Sequence, residues 1–254
     1  MTSPTTALRQ FSLRSMRHSL RDAEALLMAI FLPTMIMLLF TVIFGGAIDT
    51  GGGEYVDYVV PGVILLCAGF GSATVAVYVA TDMQNGIIDR FRVMPIPAYG
   101  VVVGHVAASV LRNAFATALV IAVGVMLGFR PSADVQQWLA AAGIIAAFII
   151  AITWLFAAIG LASGSPTAAN GYGFFLLFLP YLSSAFVPTE TMPSWLQPVA
   201  EHQPMTPVIE SVRSLLEGKP AGNDAWVALA WIAGILLLAM LWSMRAFRHR
   251  GGGR

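Results

Sequence analysis

The residues of this chain that could do chemistry are few and dispersed. Its four histidines, His18, His105, His202 and His249, stand far apart. None has a cysteine or histidine neighbour at metal-ligand spacing, so no metal site is expected. A single cysteine, Cys67, permits no intrachain disulfide. It lies in an apolar run and reads as a small buried hydrophobe, not a reactive thiol. A loop that cradles phosphate needs a second glycine five residues before its Gly-Lys pair. The one Gly-Lys pair is Gly218–Lys219, and Arg213 occupies that glycine position. The chain therefore has no means of hydrolysing nucleotide, and no cofactor is expected to bind it. No local Ser, His and Asp set suggests a nucleophile. The expectation is a non-catalytic protein.

Two ionisable residues stand out by place, not by partners. His105 and Arg112 lie at the start of a long apolar stretch. A charge within a membrane is a functional candidate by default, but here Arg112 is expected to snorkel into the inner interface. No other ionisable residue lies inside an apolar run, so there is no proton relay to trace. That argues against an ion-coupled carrier.

The elements around these residues define the class. Of 254 residues, 57% are hydrophobic and 11% charged, whereas a soluble domain carries about 25% charged residues. Net charge is +1, which gives no basic field for nucleic acid. A bilayer core of about 30 Å takes about 20 apolar residues of helix. Six runs approach that length: Leu26–Phe44, Tyr58–Thr81, Ala114–Phe129 (extended backwards through Val101–Asn113), Trp138–Ala162, Gly171–Val187 and Ala225–Met244. The first is too long for the core of a cleaved signal, and its Pro33 is a tolerable kink. The predicted fold is all-α: a polytopic membrane protein with six transmembrane helices in one domain over 1–254. Ten arginines fall on the side of the two termini, among them Arg9, Arg14, Arg90, Arg92 and Arg245. Only Arg130, Arg213 and Lys219 fall on the other. By the positive-inside rule both termini are cytoplasmic, and the location is the cell membrane.

Four segments outside or within the runs carry information. Residues 8–24 place Leu8, Phe11, Leu13, Met16 and Leu20 among arginines, which predicts an interfacial helix. The cytoplasmic loop 82–100 is too long for a plain turn, and Pro95 and Pro97 would stop a short helix there. A helix held by two spans suits contact with a soluble partner. Its candidate coupling residues are Gln84, Ile87, Ile88, Asp89, Arg90, Phe91 and Arg92. The outer loop 188–224 predicts two short helices, Pro193–Val199 and Val208–Leu216, the second ending at Gly218. With Trp195 and Leu196 on the first and Val208, Val212 and Leu215 on one face of the second, they could dip into the outer leaflet as re-entrant helices. The fifth run is rich in aromatics. Phe174, Phe178 and Tyr181, with Phe70 and Tyr78 of the second run, are the candidate lining of a path for a ring-bearing apolar cargo. The small residues Gly62, Gly69, Gly71, Ser72 and Ala73 would allow the second span to approach a second subunit closely.

Three segments resemble the membrane subunit of ABC-2 type (type V) ABC transporters, nearest to the daunorubicin-resistance branch of drug exporters. The most specific is SSAFVPTETMPSWLQPVAEHQPMTPVIESVRSLLEG, Ser183–Gly218, with its Phe-Val-Pro, Met-Pro-x-Trp-Leu and Pro-Met-Thr-Pro elements. GIIDRFRVMPIP, Gly86–Pro97, and YVVPGVI, Tyr58–Ile64, are similar to the family's first cytoplasmic loop and second-span opening. With the six-span plan, the resemblance covers nearly the whole chain. It implies a permease in which two membrane subunits, identical or paralogous, form the path. Each would dock a separate ATPase that binds ATP and Mg. It further implies an interfacial helix, a coupling helix and outer re-entrant helices. The implied cargo is a hydrophobic or amphipathic drug, antibiotic or lipid. The competing reading within the family is export of polysaccharide or a lipid-linked glycan. An intramembrane enzyme would need polar catalytic groups in the spans, which are not found.

Overall fold

A computed structural model describes residues 23–48, 54–87 and 100–249. Residues 8–22 of the expected interfacial helix and Ile88–Arg92 of the expected coupling segment lie outside them. Among the described residues every regular element is helical. In chain order these are α1 (Ala23–Leu38, running on as a π-helical turn Leu39–Phe44), α2 (Tyr55–Gln84), α3 (Gly100–Met126), α4 (Val135–Ala162) and α5 (Pro166–Leu176). Two 3₁₀ turns follow (Leu179–Leu182 and Thr189–Thr191), then α6 (Gln197–His202), α7 (Met205–Leu216) and α8 (Gly222–His249).

The helix ends follow local chemistry. α4 starts at a capping box, in which Asp134 Oδ1 accepts from Gln137 N at 2.7 Å and Gln137 Oε1 accepts from Asp134 N at 2.8 Å. α5 starts at Ser165, whose hydroxyl accepts from Ala168 N, with Pro166 in the first turn, where its missing N–H costs nothing. α7 ends where Gly218 takes φ +75°, a left-handed conformation that suits glycine.

Four of these helices, α2, α3, α4 and α8, are long and apolar enough to cross a membrane. Of the six expected spans, four are thus single long helices among the described residues. The stretch Gly171–Val187, read as a fifth span, is not one helix. α5 stops at Leu176, and the chain continues through a 3₁₀ turn around Pro180 into extended backbone at Ser183. Pro180 lacks the N–H that would extend the helix, and its ring crowds the preceding turn. Ala23 and Glu24, assigned to the interfacial helix, belong to the first turns of α1.

α2 is the hub. It packs on α1, α3, α4, α5 and α7, and all but a few of its residues from Tyr55 to Ala80 are buried. This corrects the role read for its small residues. A Cβ at Gly62 would sit 2.6 Å from the Ala185 carbonyl oxygen, and Ser72 is fully buried against α4. Gly62, Gly71 and Ser72 admit neighbours of the same chain, so these three do not form a face for a second subunit, whereas Ala73 is half-buried. α8 instead buries only a stripe, Ala228, Ile232, Ala239 and Ser243, and exposes Trp226, Leu229, Leu237, Leu238 and Leu241. An apolar face this wide needs a non-aqueous surrounding.

α2 and α4 meet most tightly at Gly160. A Cβ there would lie 2.5 Å from Ala76 O and 3.0 Å from Val79 Cβ of α2. Gly160→Val should therefore lower stability by roughly 1–3 kcal/mol through overpacking. Gly143→Ala, with nothing within 4 Å of its Cβ position, should leave it unchanged or slightly raised. Thermal melting of the two variants in detergent checks this; equal melting would show that α2 and α4 do not meet at Gly160.

Candidate functional site

Polar side chains inside this apolar body gather in two places. The first joins α2, α3 and α4. Arg112 is the thirteenth residue of α3, not in its first turn, and only 1% exposed. The expectation that it snorkels to the interface is therefore not met: acceptors on α2 hold its guanidinium inside. Its Nη2 donates to Gly71 O at 2.8 Å and to Thr74 Oγ1 at 2.6 Å. Next to it Asn113 Nδ2 donates to Ser72 Oγ at 2.9 Å, and the Ser72 and Thr153 hydroxyls lie 2.9 Å apart. Gly71 has to lack a side chain, because a Cβ would fall 1.7 Å from Asn113 Oδ1. Sequence reading passed over Asn113 and Thr153 and took Ser72 only for its small size. The available signal was a polar residue set within each of three apolar runs.

The second place is at the N-terminal end of α2, where α7 docks. Arg213 is 5% exposed. Its Nε and Nη2 donate to Tyr58 O at 3.2 and 3.0 Å, Nη2 donates to Ser184 O at 2.7 Å, and Nη1 pairs with Glu210. The guanidinium also lies over the Tyr58 ring, 3.7 Å from its centroid. Two more side chains serve the same irregular segment. Gln203 Nε2 donates to Leu179 O at 3.0 Å, and the Tyr55 hydroxyl donates to Phe186 O at 2.7 Å. Beside Arg213 opens a polar cavity of about 730 Å³, lined by Glu54, Asp57, Glu190, Glu210, Glu217 and Asp224 together with Arg130, Arg213 and Lys219. Lys219 Nζ lies 2.7 Å from Glu217, whose carboxylate holds that ammonium's pKa above its ordinary value.

The expected site residues distribute as follows. Phe174, Phe178 and Tyr181 come together in a row: Phe174 and Phe178 rings meet edge-on at 5.1 Å, and Phe178 and Tyr181 at 6.3 Å. The row goes on through Phe186, stacked 5.3 Å from Tyr181, to Phe40 of the π turn at 4.5 Å. Its α5 end is exposed. Phe70 and Tyr78 do not join it. Phe70 packs at the edge of the main core, and Tyr78 lies near the far end of α2 against His105. Of the outer residues, Val208, Val212 and Leu215 are buried in the core, Leu196 is half-buried and Trp195 is exposed. The first outer helix forms at Gln197–His202, four residues later than expected from Pro193. Gln84 ends α2 and is exposed; Ile87 is half-buried just beyond it. A separate apolar groove of about 420 Å³ lies between α4, α5 and α8, lined by Leu155, Ile159, Tyr172, Phe175, Leu176 and Trp242 among others. Among the described residues no group of His, Cys, Asp and Glu could hold a metal ion.

The sequence pattern of the ABC-2 type transporter family matches residues 6–216 of this chain. The chain belongs to that family. It is 29% identical over 222 residues to the daunorubicin resistance ABC transporter permease protein DrrB1 of Streptomyces coeruleorubidus, covering 87% of this chain and 78% of that one. It is 26% identical over 227 residues to the probable doxorubicin resistance ABC transporter permease protein DrrC of Mycobacterium tuberculosis, covering 86% and 79%. The likeness spans most of both chains, and with its long apolar helices this ABC-2 chain is a multi-pass membrane permease.

Arg213 is the group on which the α7 end depends. Arg213→Ala would strip hydrogen bonds from two buried carbonyls, each loss costing about 1–3 kcal/mol. The expected result is a large drop in melting temperature and early proteolysis at 183–204, and Arg213→Lys should recover only part because one ammonium cannot replace the fork. Wild-type melting and proteolysis in Arg213→Ala would remove the latch.

Proposed function

We propose that this chain is the permease subunit of an ATP-driven exporter that moves a hydrophobic or amphipathic compound, of the drug or antibiotic kind, out of the cell. ATP and Mg are bound by a separate ATPase on the cytoplasmic side, and a second membrane subunit, identical or paralogous, completes the path. Both termini lie in the cytoplasm, and the chain crosses the bilayer six times, with the segment from α5 to Val187 as the interrupted fifth crossing. The observation that carries the cargo class is the apolar groove between α4, α5 and α8. At about 420 Å³ it falls in the size range of pockets for drug-sized ligands, about 300–1,000 Å³. Its lining of aliphatic and aromatic side chains suits rings and alkyl chains better than sugars. The drug-resistance names of the relatives support the same class. The half-exposed aromatic row from Phe174 to Tyr181 is the proposed continuation of the path, and the exposed α5 is the proposed face toward the second subunit.

Coupling to the ATPase is assigned to the loop 82–100. Only cytoplasmic segments can touch a soluble partner, and this loop joins two spans directly. Asp89, Arg90 and Arg92 supply charge, and Ile87, Ile88 and Phe91 supply apolar contact. A buried aromatic anchor typically costs about 2 kcal/mol or more when truncated. Phe91→Ala should therefore weaken ATPase binding or uncouple hydrolysis from transport, with membrane insertion intact. Inverted vesicles holding chain and ATPase should take up doxorubicin in an ATP-dependent way. Uptake of a hydrophilic polymer with no response to lipophilic compounds would favour the glycan reading instead, and ATP hydrolysis by the purified chain alone would refute the two-subunit arrangement.

A further inference from the structure

α2 and α3 are tied at the base of the loop that separates them. His105 Nε2 lies 2.7 Å from Asp82 Oδ2. A carboxylate can only accept, so the imidazole N–H donates. The His105 ring also stacks on Tyr78, centroids 6.2 Å apart and planes at 25°. Tyr78 and Asp82 are four residues apart and share a face of α2, so His105 is gripped at two points. The side chains are 16% and 21% exposed, sheltered enough for the bond to matter more than a surface pair.

Local helix energetics do not account for Asp82. It lies in the last turn of α2, which has no basic residue, and a carboxylate there faces the negative end of its own helix dipole. Its compensation comes from α3. The two residues are 23 positions apart, and the bond closes the chain on either side of the 85–99 loop.

We propose that Asp82 and His105 are a positioning pair for energy coupling, fastening the inner ends of α2 and α3 so that a push on the intervening loop moves both helices together instead of splaying them. This rests on the assignment of the loop as the ATPase contact. Tyr78 serves as the platform that orients the imidazole.

The test uses the full chain assembled with its ATPase in proteoliposomes, and reads both the ATPase retained on purification and the acceleration of ATP hydrolysis that the permease confers. Asp82→Ala and His105→Ala should retain the ATPase yet lose about ten-fold of that acceleration, the loss of one charge-assisted hydrogen bond. His105→Gln should keep most of it, since the glutamine amide also offers an N–H donor. The exchange Asp82→His with His105→Asp should restore it, and it places the imidazole in the last turn of α2, where the dipole favours it. If the alanine variants fail to reach the membrane, the glutamine and exchange variants decide. Single alanine variants that accelerate hydrolysis like wild type, or an assembled exchange variant that does not, would overturn the pairing role. An unaltered chain that retains no ATPase would overturn the exporter assignment itself, and the coupling role with it.

Discussion

A backbone that leaves the helix inside an apolar body must find hydrogen bonds from side chains, because no water is at hand. The segment from Leu179 to Phe186 is where this chain meets that constraint. Its carbonyls at 179, 184 and 186 are taken by Gln203, Arg213 and Tyr55. Arg213 also serves the Tyr58 carbonyl in the first turns of α2 and lies on the Tyr58 ring. A buried guanidinium is costly unless its donors are used. Here they go to two carbonyls and a carboxylate, which fixes α7 against α2. The bare backbone of Gly62 then lets Ala185 come to within contact of α2. The polar cavity at this end follows from the same docking.

The cluster on α2, α3 and α4 is of another kind. It repairs no break in the backbone; it sets register. Aliphatic side chains of similar size pack in more than one way, and the dispersion between them is not directional. Hydrogen bonds from Arg112 to Gly71 and Thr74, and from Asn113 to Ser72, admit one alignment of α2 and α3. The contact of Ser72 with Thr153 extends that alignment to α4. With Gly160 closing on Ala76, the three helices form a rigid centre around which α1, α5 and α8 are more peripheral.

This division suits the proposed export of apolar compounds. The groove and the aromatic row lie on the periphery, where helices expose apolar surface and have fewer polar bonds to break. The rigid centre joins the polar cavity at one end to the Asp82–His105 bond at the other. Movement delivered at the loop would then displace packed helices as bodies, the shear mode open to close-packed interiors.

Membership of an apolar, helical, membrane-embedded class was legible in the sequence, because runs without charge have no other stable home. The end of α7 was legible too, through Gly218, since a left-handed turn is local; the start of α4 was not, because its capping box of Asp134 and Gln137 lies ahead of the apolar run. The absence of a phosphate loop could be read for the same reason. Three features depended on the tertiary structure. Arg112 reads as interfacial from its place near the start of a long third run, but its burial is decided by partners on α2. The fifth run has the composition of a span, yet it breaks because Pro180 permits the turn and distant side chains, from α2, α7 and the junction between α6 and α7, satisfy what the turn exposes. The glycines of α2 suggest close contact by their size, but size does not name the neighbour; folding gave that surface to Ala185 and Asn113 of the same chain. Composition reports what each residue can tolerate, and only the packed structure decides which partner it meets.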